Sequence, residues 1–531
     1  MAVTIQKYFE YLKAESAFVI LVSFFVITNY LWIRSNNVPP TWDPAWYLEN
    51  SQILYHTLIQ KGVFSFFIGC THIMQSKAPL IAILAVPFYI LFGNHYTSAL
   101  FVNLLFLVAG AWYLYAIVTL ATSKKTISLL SVFFFNSFPL VLGLSRLFLV
   151  EYGLTTLVLA WIYYLMASSG LRNRSCAFRL GIILGFGLLM KISYVLYIFF
   201  PTCYILSMRI REDNEISKNL ILNVIIITLI AFGVAGIWYV QNFATVFKTA
   251  WSSGYGKVGA DYSMGSVFSL VTVINYWLAV ILAGISFHYF IMFTFIFIFS
   301  IILKINTAPI LSKKDFVYLL SWFLFPFLIF TFGVNKDIRF LAPLFPAIAI
   351  YLAIQLSRFS NYRKGKYLII ILLIYPLYYY LSFSFTAFAN NTGYAFSPIK
   401  DKWPLEDIVR AINLDAKNLR IQSPKTTLIF EHQYLNHNNL SYFGQKNGFS
   451  LIFSAPLQYT NEPVRKIADY AIHNSDFVLT KSGKFGADFL NKDNGDIMII
   501  ILRSHMFSKM QSFALPDGTD AVLYQKVHDR Q

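Results

Sequence analysis

The chain has 531 residues, of which 57% are hydrophobic and 13% charged, with 52 Phe against 25 Asp plus Glu. Soluble domains carry about 25% charged residues, so the composition excludes a chain folded wholly in water and points to one solvated largely by lipid. The formal charge of +17 would suggest a nucleic-acid partner in a soluble protein. Here the excess lies in short loops between apolar runs, where the positive-inside bias accounts for it, and no nucleic-acid partner is expected.

In chain order, the first apolar run covers 16–34, with no small-residue cleavage site behind it, and reads as a retained anchor. A polar-aromatic stretch, 35–78, reads as a loop outside the bilayer. The run 79–92 is too short for a span and reads as an interfacial helix. Further spans are expected over 97–121, 126–143, 150–168, 179–191, 193–208, 219–240, 277–303, 315–333, 339–357 and 366–388. Together these make about eleven transmembrane helices.

With a cytoplasmic N-terminus, alternation puts Lys124/Lys125, Arg172/Arg174/Arg179, Arg209/Arg211/Lys218, Lys304/Lys313/Lys314 and Arg358/Arg363/Lys364/Lys366 on one face. This agreement requires that 79–92 does not cross. The opposite face receives an outer loop, 35–95, and everything after about 389. Residues 1–388 thus form a transmembrane domain and 389–531 a small, extracytoplasmic α/β domain. In the tail, strands are expected at 427–430, 477–480 and 497–502, helices at 405–414 and 464–473, and a turn at 515–518 leading to a last strand at 521–525.

Charged groups recur on the outer face: Asp43, Lys77, Arg146, Glu151, Lys191, Lys336, Asp337 and Arg339. An acid just after the first span, Asp43 in Trp42-Asp43-Pro44-Ala45-Trp46-Tyr47, suits proton transfer with an acceptor. The same residues also read as a helix N-cap before proline. Lys77 is placed to hold a phosphate as a point charge or to snorkel to headgroups. Arg339, with Lys336, suits bidentate phosphate binding, and outer positive charge runs against the topological bias. Arg146 and Glu151 read either as a mutual ion pair or as site residues. Lys191 interrupts an apolar stretch and requires an anion, a carboxylate or water. His432, His437 and His473 lack metal spacing and are expected on a solvated surface. Asn390-Asn391-Thr392 and Asn439-Leu440-Ser441 match the glycosylation acceptor pattern.

At four places the sequence resembles the GT-C superfamily of membrane glycosyltransferases, in particular the glycosyltransferase family 39 type that includes protein O-mannosyltransferases and the lipid A aminoarabinose transferases. These are Asp43-x-x-x-Tyr47, Lys77-Ala78-Pro79-Leu80 running to Leu91-Phe92-Gly93, Ser145-Arg146 followed by Glu151, and Lys336-x-x-Arg339-Phe340-x-x-Pro343-x-x-Pro346. The resemblance implies a GT-C-like fold with an outward-facing site fed by a polyprenyl-phosphate sugar. It implies Asp43 as the catalytic acid/base or acceptor-orienting carboxylate, Glu151 as the second acidic residue, and Lys77 and Arg339 as holders of the donor phosphate. Beside these, Lys336 and Lys191 are expected at the phosphate, and Tyr47 and Arg146 at the substrate. The sequence departs from the family at Pro44, often Glu, and at Glu151, often Asp.

The expected function is therefore sugar transfer from a polyprenyl-phosphate donor to a glycan, lipid or protein acceptor, in the plasma (inner) membrane. No metal ligand is assigned, and a divalent metal ion is the one cofactor left open. The alternatives are a transporter or flippase of a lipid-linked saccharide and a non-catalytic membrane assembly protein.

Overall fold

The computed structural model describes residues 2–302, 309–361, 365–386, 392–455, 463–483 and 493–527. Lys304, Arg363, Lys364 and the Asn390-Asn391 pair of the first glycosylation pattern lie outside the described residues. The chain divides into two compact units, one of residues 1–34, 71–81 and 100–398, the other of 35–70, 82–99 and 399–531.

The first unit is helical. Its elements in chain order are α1 (Ala2–Ser35, up to Arg34 in this unit), then, after the α2 and α3 helices given below, α4 (Tyr96–Thr122, from Leu100), α5 (Lys125–Ser137), α6 (Pro139–Leu144) and α7 (Val150–Ala167). These are followed by α8 (Arg174–Met190), α9 (Tyr194–Asp213), α10 (Lys218–Gly254), α11 (Lys257–Asp261), α12 (Leu270–Ala279), α13 (Phe287–Ile302), α14 (Lys313–Thr331), α15 (Phe345–Ser357) and α16 (Gly365–Phe385). The α8–α10 contact uses a small-residue stripe, because a Cβ on Gly181 would meet Ile230 at 2.7 Å and one on Gly185 would meet Val234 at 2.5 Å. Such stripes let membrane helices approach closely where burial alone supplies no driving force.

Among the described residues eight helices are long and apolar enough to cross a membrane, or nine if one bent pair counts as a single span. The pair is Leu270–Ile285 with Phe287–Ile302, bent by 97°. Residues 280–285 form a π turn, and Ser286 follows at φ 80°. The sequence estimate of about eleven also counted 126–143, 179–191 and 193–208. The first of these is two short helices, α5 and α6, broken at Phe138-Pro139. The other two are the α8 and α9 helices.

The stretch 35–78, expected as a loop, is helical over α2 (Trp42–His72), with a break at Gly62 where φ is 81°. Its hydropathy is diluted by Glu49, Asn50, Gln52 and His56, which hides a helix in a polar reading. The run 79–92 is helical as α3 (Leu80–Phe92).

In the second unit the tail folds as a five-stranded sheet of order β2-β1-β3-β5-β4. The strands are β1 (Lys425–Leu428), β2 (Ile452–Ser454), β3 (Phe477–Lys481), β4 (Phe507–Ala514) and β5 (Asp520–Lys526). The first three are parallel and the last two antiparallel. One face is covered by α17 (Leu405–Asn418) and α18 (His437–Lys446), whose Ile408, Ile412 and Leu440 pack with Leu428, Phe477 and Leu479. The other carries α19 (Val464–Asn474) and α20 (Asn494–Arg503), whose Ile467, Ala471, Ile497 and Ile501 pack with Ile429 and Val478.

Residues 497–502, expected as a strand, are part of α20. Buried Ile497, Met498 and Ile501 fall on one helical face, a spacing that a short, uniformly apolar run conceals. In the second glycosylation pattern Asn439 is buried in the capping box of α18, out of reach of modification. His473 is exposed as expected, whereas His432 stacks on Trp403 at 5.0 Å and His437 pairs with Glu431 at 2.7 Å.

Candidate active site

In the first unit, helix ends far apart in sequence bring an acid and two cations together. Glu151 is the second residue of α7, where the helix dipole favours a carboxylate, and it is 1% exposed. Lys191 closes α8 in extended conformation, and its Nζ reaches Glu151 Oε1 at 2.8 Å. A Cβ on Gly187 would sit 2.4 Å from the Tyr194 ring, so the turn that presents Lys191 closes tightly only with glycine there. Arg339 opens the 3-10 turn Ile338–Leu344, with its Nε 2.8 Å from Asp337 Oδ2 and 3.7 Å from Glu151 Oε1. The Phe340 ring lies under both cations, 4.2 Å from Lys191 Nζ and 5.5 Å from the Arg339 guanidinium.

Asp337 organises the rest. Its Oδ1 accepts from the Arg339 backbone N–H at 3.1 Å and from the Tyr394 hydroxyl at 2.6 Å. Burial, then the charge of Asp337, pushes the Tyr394 pKa well above its ordinary value, against the pull of Arg339. Lys336 is buried, donates to the Thr331 carbonyl, and lies 5.0 Å over the Tyr276 ring. Burial draws its pKa below the ordinary value. Three cations, Lys191, Lys336 and Arg339, thus stand against two carboxylates, Glu151 and Asp337. An excess of positive charge around a buried carboxylate favours an anion there. Glu151 Oε2 and the Tyr276 hydroxyl are buried with no hydrogen-bond partner among the described residues.

The expected Arg146–Glu151 pair does not form. Arg146 Nε donates to Asn29 Oδ1 at 2.8 Å, Nη1 to the Phe383 carbonyl at 3.0 Å and Nη2 to Ser384 Oγ at 2.6 Å. Its guanidinium also lies 5.3 Å from the Trp32 ring. Each guanidinium nitrogen has a protein partner, so Arg146 ties α1 and α16 to the turn before α7. Lys77 is half-buried in the turn before α3. That turn is fixed by bonds from Trp238 Nε1 to the Ile73 carbonyl at 3.0 Å and from Asn242 Nδ2 to the Thr71 carbonyl at 3.3 Å.

Asp43 and Tyr47 belong to the second unit. Asp43 stands in the first turn of α2, half-buried, and Tyr47 is buried. Helix entry is fixed by Trp42, whose indole N–H donates to Glu431 Oε2 at 3.0 Å. Among the described residues no three His, Cys, Asp or Glu side chains gather as a metal cage. Glu151, faced by two cations, does not fit a divalent ion.

The fold agrees with comparisons to known proteins. The sequence model of the family described as "Dolichyl-phosphate-mannose-protein mannosyltransferase" matches residues 76–238. This segment contains Lys77, Arg146, Glu151 and Lys191. The crystal structure of ArnT from Cupriavidus metallidurans bound to undecaprenyl phosphate is similar with a TM-score of 0.60 at 12% identity, over 96% of this chain and 98% of that chain. The apo ArnT structure gives 0.54 at 10% identity, over 95% and 97%. The arabinofuranosyltransferase AftD from Mycobacteria gives 0.55 at 10% identity over 97% of this chain but 40% of AftD. No curated protein sequence matches. The chain is a multi-pass membrane protein that shares the fold of these glycosyltransferase structures, and its residues 76–238 match the family model named above.

Proposed function

We propose that the chain is a glycosyltransferase that moves a sugar from a polyprenyl-phosphate carrier to a glycan, lipid or protein acceptor on the extracytoplasmic face. The observation that carries this reading is the buried Glu151 faced by the half-buried Lys191 and Arg339, an assembly with an excess of positive charge. It is supported by the ArnT structure, which has undecaprenyl phosphate bound.

In the proposed reaction an acceptor hydroxyl or amine attacks the anomeric carbon and gives its proton to Asp43. The bond from that carbon to the phosphate oxygen breaks, and the electron pair leaves with the carrier phosphate. Arg339 and Lys191, aimed by Glu151 and Asp337, offset the charge that develops there, with Lys336 adding to the field and Lys77 a further cation for the phosphate. Fixed donors aimed at a leaving group act most strongly where water is excluded. Arg146 serves the packing that places α7, and Tyr47 the acceptor side.

The Asp43→Asn variant is expected to lose transfer of labelled sugar from a polyprenyl-phosphate carrier to membrane acceptors, while its melting temperature in detergent stays that of the parent. Undiminished transfer would remove Asp43 from the mechanism. The bent pair at Ser286 favours a second reading, transport of a lipid-linked saccharide, since broken spans line substrate paths in transporters. Covalent label on an acceptor separates the two.

A further inference from the structure

We propose that the Tyr276 hydroxyl is a ligand-binding group that donates a hydrogen bond to a phosphate oxygen held beside Lys336 and Arg339. This rests on reading the cluster as a phosphate site, and it adds a residue that no motif points to. Tyr276 lies in α12, with its side chain fully buried and the ammonium of Lys336 over its ring. It stands within electrostatic reach of Asp337. Its hydroxyl has no partner among the described residues.

A buried phenol left unpaired costs about 1–3 kcal/mol, and the large majority of buried polar groups are paired. An orphan of this kind in a membrane interior therefore calls for a ligand or water. Two features favour an anion: the ammonium of Lys336 stands over the ring, and a phenol O–H completes its pairing by donating to an acceptor. Lys336 has one of its three N–H donors on the Thr331 carbonyl, and the phenol adds a donor of fixed direction beside it.

The surrounding backbone supports this. Four residues after Tyr276 the helix becomes a π turn and breaks at Ser286, whose φ of 80° is strained for a residue with a Cβ. Such departures occur at membrane depth where backbone borders a cavity or is enclosed by protein, and π turns concentrate at functional sites.

The test uses the full chain in detergent as the parent, Tyr276→Phe and Arg339→Ala. Each is titrated with undecaprenyl phosphate and separately with inorganic phosphate, and melting temperature is recorded with and without ligand. Ligand-free Tyr276→Phe is expected to melt at or above the parent, because an unpaired group is deleted without loss of volume. Its affinity for undecaprenyl phosphate is expected to fall about tenfold to a hundredfold. A matching loss for inorganic phosphate identifies the headgroup alone as the ligand, whereas a loss confined to the lipid identifies the carrier. Parent-like binding by Tyr276→Phe with binding lost in Arg339→Ala overturns the assignment and leaves the phosphate site standing. Parent-like binding by both variants overturns the phosphate site itself. A lower ligand-free melting temperature in Tyr276→Phe shows that the hydroxyl has a protein partner and also overturns the assignment.

Discussion

Glu151 is buried, and Lys191 and Arg339 face it. Removing one partner of a buried pair typically costs about 3–5 kcal/mol, while removing both members is far milder. Lys191→Met is therefore expected to lower the detergent melting temperature sharply, at the lower end of that range because Arg339 remains. The double variant Glu151→Gln/Lys191→Met should recover much of the loss in the same melting experiment while still failing to bind undecaprenyl phosphate. At this scale the sequence was partly legible. Charges interrupting apolar runs marked Glu151, Lys191 and Arg339. Nearness in sequence offered a pairing of Arg146 with Glu151 that does not form, because the turn between them points the guanidinium back toward α1 and α16. Tyr276 and Tyr394 carried no signal, being two of 34 tyrosines in an apolar, aromatic chain.

At the scale of elements, the site depends on close approaches that only small residues permit. A Cβ on Gly143, in α6, would lie 2.4 Å from the Tyr394 carbonyl carbon and 2.7 Å from the Ala395 nitrogen. Backbone atoms cannot yield as a side-chain tip does, so Gly143→Ala must displace the segment that sets Tyr394 against Asp337. Overpacking of this kind costs about 1–3 kcal/mol. The expected result is a melting temperature several degrees lower together with weakened undecaprenyl phosphate binding, read in one titration. Helices and strands were legible where periodicity was clean, as in α17 and α19 with their amphipathic faces. They were not legible in α20, where six apolar residues in succession fit either period, nor in α2, whose polar residues read as a loop.

At the scale of the whole molecule, the proposed orientation follows from basic loops gathering on one side. That inference survives if α2 and α3 both stay at the interface. It also survives if both cross, since two crossings restore the alternation. With the N-terminus cytoplasmic, a cysteine placed at Arg174 in a cysteine-free background should be shielded from a membrane-impermeant thiol reagent in intact cells. One placed at Ser450 should react. The opposite pattern would invert the proposed topology and put the phosphate cluster on the other leaflet.

The bond from Trp42 to Glu431 bears on how such chains can be recombined. The sheet domain is not bounded by a single cut, because residues 35–70 and 82–99 share its compact unit. The Asn37 backbone N–H donates to the Ile399 carbonyl at 2.8 Å, and the His56 ring meets the Gln445 carbonyl at 2.9 Å. A graft of the tail alone onto a relative would leave a carboxylate without its indole and two backbone carbonyls without these partners. A workable transplant carries all three segments together, which means that the acid of α2 travels with the tail rather than with the spans that follow it.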